Sequence, residues 1–218
     1  MLQFTVIAGP NGAGKSTYST RMSHPDTLIF DPDFHKQSIE QKYPDIAEDA
    51  LMEAVTSGYH IIEAKALAGK KSLTVETNLR NEFLADRAAF FKANGYQTRF
   101  VFMLLPNVDS SMDRVNLRVK QKGHFVSAAN IRANFEDSLR MLPKVAVKFD
   151  QVMLISAVSD QGVSSLPELL LTIKSGVVIR RNDSIPEWAM PTVADIISLT
   201  TNQNLDSPDE YKRSGPKR

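Results

Sequence analysis

A chain of 218 residues, 42% hydrophobic and 23% charged, has the size and composition of one globular α/β domain, or of one domain with a short appendage. Its formal charge of +1 gives no general attraction to nucleic acid or to an anionic membrane, and no apolar run has the length of a membrane span. With no cysteine, a disulfide framework and cysteine-ligated metal sites are excluded.

The first strand, Gln3–Ala8, runs directly into Gly9-Pro10-Asn11-Gly12-Ala13-Gly14-Lys15-Ser16-Thr17, a complete G-x-x-x-x-G-K-S phosphate-binding loop. Glycines let the backbone curl so that successive N–H groups converge on phosphate oxygens. The helix that follows, Lys15 to about Met22, adds its unpaired N–H groups and the positive end of its dipole. Lys15 is expected on the β- and γ-phosphates of ATP, and the Ser16 hydroxyl on Mg²⁺. A loop this close to the N-terminus leaves no room for a secretion leader, so a cytoplasmic location is expected.

A second short strand, Thr27–Phe30, ends at Asp31-Pro32-Asp33. Helical periodicity from about Ile46 to Ala68 places Ile46, Ala50, Leu51, Ala54, Val55 and Ile62 toward a core, until Gly69-Lys70-Lys71 breaks it. Leu73–Glu76 reads as a third strand, and Asn81–Asn94 as a helix stopped by Gly95. Gln97–Leu105 is the strongest strand, and Phe90, Phe91, Phe100 and Phe102 read as core. Ser110-Ser111-Met112-Asp113 resembles a capping box opening a helix to about Gln121. A further helix spans about Ala128–Leu142, Asp150 reads as a cap or surface residue, and Gln151–Ile155 as the last core strand.

Beyond about Ser175 the pattern changes. Val177–Arg180 is a candidate strand, and Ile185-Pro186-Glu187-Trp188 a turn that docks the only tryptophan. The expected division is a kinase-like domain over 1–175, an appendage packed on it over 176–206, and a disordered basic tail over 207–218. Strands alternating with helices predict a three-layer α/β sandwich with a mainly parallel sheet and a helical lid that bears arginines.

The loop alone serves several enzyme classes. The chain has neither a Leu-Ser-Gly-Gly signature nor an Asn-Lys-x-Asp guanine motif, which leaves a kinase of a small molecule as the favoured reading. Asp31 and Asp33 follow the second strand, at the end of the sheet where such sites are built, and a carboxylate there can take the proton of an attacking hydroxyl. Asp31 reads equally as a turn cap before Pro32. Glu76 closes an apolar strand and needs a polar partner if buried, while Thr77, Asn78 and Arg80 stand ready to orient a polar substrate. Arg114 and Arg118 lie four apart on one helical face with Lys122 beyond, and Arg132 sits on the next helix. Such guanidinium groups can neutralise a transferring phosphoryl group, or form a solvated face. His124 has no second histidine at ligand spacing, so no protein-only metal site is expected.

Four pieces in order, Ala8–Thr17, Phe30–Asp33, Glu76–Leu79, and Asp113–Val119 running into Gly123–Val126, resemble the zeta toxin-type kinases. The similarity spans about Phe4 to Ile155. It implies transfer of the ATP γ-phosphate to a sugar hydroxyl of UDP-N-acetylglucosamine, with Mg²⁺, and a separate antitoxin protein as partner. It also implies Lys15 and Ser16 on phosphate and Mg²⁺, Asp33 as base with Asp31 as the fallback, Glu76 on the sugar with Thr77 or Asn78, and Arg114, Arg118 and Arg132 as phosphate clamps. The competing readings are a kinase of another small alcohol or of a nucleoside, and a nucleotide-dependent binding module without catalysis.

Overall fold

The computed structural model describes residues 1–121, 125–158 and 167–202. Lys122, Gly123 and His124 of the expected lid, and the 207–218 tail, lie outside the described residues. Five strands run parallel: β1 (Gln3–Ala8), β2 (Leu28–Phe30), β3 (Leu73–Thr77), β4 (Gln97–Leu104) and β5 (Gln151–Ser156). Two more, β6 (Glu168–Lys174) and β7 (Val177–Arg181), add antiparallel beyond β5, so the sheet order is β2-β3-β1-β4-β5-β6-β7. The helices are α1 (Lys15–Met22), α2 (Pro32–Lys42), α3 (Glu48–Ala68), α4 (Phe83–Ala93), α5 (Val108–Lys120), α6 (Ala128–Ala146) and α7 (Met190–Asn202). The α/β sandwich with its mainly parallel sheet is the expected fold.

The alternation along β1 divides the core. Phe4, Val6 and Ala8 point into the larger cluster with Val55 and Tyr59 of α3 and Leu84, Ala88 and Phe91 of α4. Ile7 points the other way, into a smaller cluster with Val101, Met103, Phe135 and Ile155. Phe4 stacks on Phe91 with ring centroids 4.1 Å apart.

Several elements differ from the sequence reading. Asp31-Pro32-Asp33 begins a helix: the Asp31 carboxylate caps α2, accepting from the Asp33 and Phe34 amides, and Pro32 occupies the first turn, where no N–H is needed. The helix after β4 is capped by Asn107, whose side chain accepts from the Ser110 amide, so the Ser110–Asp113 box lies inside it. Pro143 does not end α6, which continues to Ala146. β5 is not the last core strand, because β6 places Leu170, Leu171 and Ile173 in the core. Phe90 is exposed rather than buried and carries the Arg87 guanidinium 4.1 Å above its ring. Asp150 does more than cap: it accepts from the Thr98 amide and hydroxyl and pairs with Lys92 at 2.8 Å.

α2 matters to the site because it follows β2 at the carboxyl end of the sheet. It is keyed to α3 by His35, whose ring fills the space beside Gly58. A Cβ at position 58 would lie 2.1 Å from His35 Nε2.

Candidate active site

The loop between β1 and α1 takes its shape from three glycines in the left-handed region. Gly9, at φ 143°, passes so close to β4 that a Cβ would lie 2.5 Å from the Met103 carbonyl oxygen. Gly14, at φ 86°, turns the chain into α1. Gly12 packs under α5, where a Cβ would meet that of Arg114 at 3.0 Å. Pro10 and Ala13 are buried, while Ser16 and Thr17 face a cleft of about 560 Å³. Lys15, Asp31, Asp33, Glu76, Arg114 and Arg118 also line this cleft.

Lys15 is buried, and its ammonium donates to the Gly9 carbonyl at 2.9 Å, the Pro10 carbonyl at 3.1 Å and Asn78 Oδ1 at 2.8 Å. All three partners are neutral. Burial pulls the Lys15 ammonium below the ordinary lysine value, against the nearby charges of Asp33, Glu76 and Asp31. A buried cation held only by neutral oxygens is suited to receive phosphate, so the loop fits a nucleoside triphosphate.

Glu76, at the end of β3, is 3% exposed. Its two oxygens accept from Ser16 Oγ at 2.7 Å and Ser19 Oγ at 2.5 Å. Burial pushes the carboxyl above the usual range; the Ser19 bond opposes this and the Asp31 charge adds to it. Asp31 Oδ2 also lies 3.1 Å from Ser16 Oγ. One hydroxyl proton faces two carboxylates, so Ser16, Asp31 and Glu76 are the side chains that could hold Mg²⁺ alongside phosphate oxygens. Among the described residues no group of three or more metal-ligating side chains stands ready to bind a metal unaided.

Asp31 and Asp33 differ in what they are free to do. Both Asp31 oxygens are engaged, one by the α2 amides and one by Ser16. The Asp33 carboxylate lines the cleft and has no hydrogen-bond partner among the described residues.

Arg114 and Arg118 reach the cleft from α5. Arg114 donates to the Gly12 carbonyl at 3.1 Å, and burial draws its guanidinium below the usual arginine range. Arg118 stands near enough to Lys15 for their charges to repel. Arg132 is exposed on α6 and is not among the cleft residues. Arg80 pairs with Asp137 at 3.6 Å, also outside the cleft. Thr77 accepts from the Leu79 amide at 2.9 Å and so shapes the turn after β3, and Asn78 serves Lys15.

Some site residues escaped the sequence reading. Ser19 holds Glu76 from the second turn of α1. Asn134 Nδ2 donates to Asn11 Oδ1 at 2.7 Å and Ser111 Oγ to the Asn11 carbonyl at 2.5 Å, tying the loop to α6 and α5. A signal existed: Asn134 and Ser138 interrupt the apolar stripe of Ile131, Phe135 and Leu142, and polar residues on a core-facing stripe need internal partners. Phe34, Gln37, Leu117 and Gln121 form the outer rim of the cleft.

No helix among the described residues is long and apolar enough to cross a membrane. A protein of Haemophilus influenzae is 25% identical over 120 residues, 55% of this chain and 82% of its own. In fold the chain is similar to the AvrRxo1-ORF1:AvrRxo1-ORF2 complex, solved with sulphate ions (TM-score 0.59, 14% identity, 90% of this chain) and with ATP. The chain spans only 64% of that protein's length. It is also similar to the PezAT chromosomal toxin-antitoxin system of Streptococcus pneumoniae (TM-score 0.52, 16% identity, 94% of this chain and 88% of that one). The family model described as zeta toxin matches residues 3–167, the whole of the parallel sheet with its phosphate loop and helices α5 and α6, and the chain thus belongs to the zeta toxin family of ATP-dependent, kinase-like proteins.

Proposed function

We propose that the protein transfers the γ-phosphate of ATP to a hydroxyl of a nucleotide sugar, with UDP-N-acetylglucosamine as the first candidate. The observation that carries this reading is the division of labour between two neighbouring aspartates: Asp31 is consumed by α2 and Ser16, whereas Asp33 faces the cleft with its carboxylate unpartnered among the described residues. In this reading the acceptor hydroxyl gives its proton to Asp33 as its oxygen bonds to the γ-phosphorus and the bond to ADP breaks. Lys15, Arg114 and Arg118 hold the phosphoryl charge. Bound Mg²⁺ would neutralise phosphate charge beside Ser16, and Asp31 and Glu76 would orient it or the sugar. Thr77, Asn78, Arg80 and Arg132 act at one remove, through the β3 turn, Lys15 and α6.

The PezAT system is a toxin with its antitoxin, and by family likeness a separate antitoxin protein is the partner we assign to this chain. A cytoplasmic setting, with its ATP and Mg²⁺, accords with this reading. We likewise retain the division into a 1–175 catalytic unit, a 176–206 appendage and a 207–218 tail.

The test is transfer of label from γ-labelled ATP and Mg²⁺ to a panel of UDP-sugars, nucleosides and small alcohols, with Lys15→Ala as control. Label on UDP-N-acetylglucosamine, absent with the variant, is the expected outcome. Label on another alcohol or nucleoside keeps the kinase and replaces the acceptor. ATP binding without transfer to any of them would overturn the catalytic reading in favour of a nucleotide-dependent binding module.

A further inference from the structure

α1 is only eight residues long and spans about 12 Å over one face of the sheet. There the structure opens a second cavity, of about 480 Å³, lined by Thr5 of β1, Thr74 of β3, Arg99 of β4 and Tyr18 of α1. None of these residues lines the phosphate-loop cleft.

The chemistry of this groove is one-sided. Arg99, half-buried on the sheet, donates through Nε to Gln151 Oε1 at 2.9 Å, and among the described residues no carboxylate pairs with it. Lys70 and Lys71 add two cations at the rim. The single carboxylate of the lining, Asp26, is exposed and stands 3.8 Å from His24. Withdrawn charges are ordinarily paired, so a half-buried guanidinium with no carboxylate partner among the described residues is a vacancy for an anion. Hydroxyl donors surround it: the Tyr18 hydroxyl and the buried Thr5 have no side-chain partner among the described residues.

Lys70 follows α3 in the left-handed conformation, at φ 46°, where glycine is the usual occupant. Gly69, beside it, has an ordinary right-handed φ. This is the ordinary end of a helix, in which the Lys71 amide donates to the Ala66 carbonyl at 2.9 Å and the Lys70 amide to the Leu67 carbonyl at 3.2 Å, and it leaves the Lys70 side chain at the groove's edge. Three cations against one carboxylate favour a dianion over a monocarboxylate. The half-buried Tyr18 ring and Met153 favour a ligand with an organic body.

We propose that this groove is a second ligand site, distinct from the phosphate loop, which binds a small phosphomonoester through Arg99, Lys70 and Lys71, with its organic body on Tyr18 and Met153. The site reaches α1 through Tyr18, one turn from Lys15, so its ligand would touch the helix that supports the loop.

The test is an amide NMR titration of the full chain with glycerol 3-phosphate, the loop first being saturated with Mg²⁺ and a non-hydrolysable ATP analogue. The expected result is saturable shifts at Thr5, Thr74 and Arg99, absent with glycerol alone. Arg99→Gln should weaken the affinity by about tenfold or more, the loss of a charge-assisted contact. Lys70→Gln lies on the exposed rim and keeps the reading independent of any folding defect in Arg99→Gln. It should weaken binding by about threefold, the usual effect of a solvated charge. Shifts that fail to saturate, shifts confined to Gly12–Thr17, or equal affinity in both variants would overturn the proposal.

Discussion

The two ends of α1 handle positive charge in opposite ways. At the first turn, Lys15 has every donor direction occupied and three carboxylates in electrostatic reach. At the far end, Arg99 faces open volume with one neutral amide as its partner. In the cleft, an arriving phosphate must therefore exchange partners with Asn78 and the loop carbonyls, and the outcome depends on geometry. In the groove there is little to displace, and affinity follows charge. Selectivity comes from a network that is satisfied before its ligand arrives; a vacant cation gives attraction with less discrimination.

The sharpest way to break the comparison is at the catalytic end. Asp33→Asn should lower the transfer rate by about 10²–10⁴-fold while leaving ATP binding in place, measured by single-turnover kinetics beside equilibrium binding. Unchanged turnover would remove Asp33 from its role. Next in size, Asn134→Ala strands the buried Asn11 Oδ1 without its donor and should lower stability by about 1–3 kcal/mol, read from urea unfolding. It should weaken ATP binding as well, because the loop loses its tie to α6.

Glu76→Gln should have opposed effects. Its carboxyl is pushed up in the folded protein, so ionising it opposes folding, and the unliganded wild type loses stability as pH rises through that raised value. The variant should lose this pH dependence and melt higher than the wild type at neutral pH, read from thermal unfolding at acid and neutral pH. Its phosphate transfer should fall. The smallest effect concerns salt. Anion binding in the groove should weaken between low and physiological ionic strength more than ATP binding at buried Lys15, because exposed charges are screened more than buried ones. Equal salt slopes would erase the distinction drawn between the two ends.

The phosphate loop and the strand and helix that flank it were legible because glycine spacing and an apolar strand carry their own geometry. β1 and α1 lie where the sequence places them. The aspartate segment was harder: Asp31-Pro32-Asp33 carries both turn and helix-start chemistry, and only the packing of α2 on α3 decides between them. Phe90 was misplaced because hydrophobicity alone does not reveal that Arg87 covers its ring. β6 escaped because an antiparallel edge following a parallel sheet breaks the strand–helix alternation that guided the reading. The Asn11–Asn134 tie joins positions 123 residues apart, a long-range contact that no local pattern encodes.

The close fit of His35 against Gly58 has a genetic consequence. A saturation screen for loss of activity would score the bulkier substitutions at Gly58, although it touches no phosphate, because a side chain there must displace the His35 ring that packs between α2 and α3. The matching suppressor is a smaller residue at position 35. Recovery of Gly58→Ala by His35→Ala would separate a residue that sets the position of the machinery from one that belongs to it.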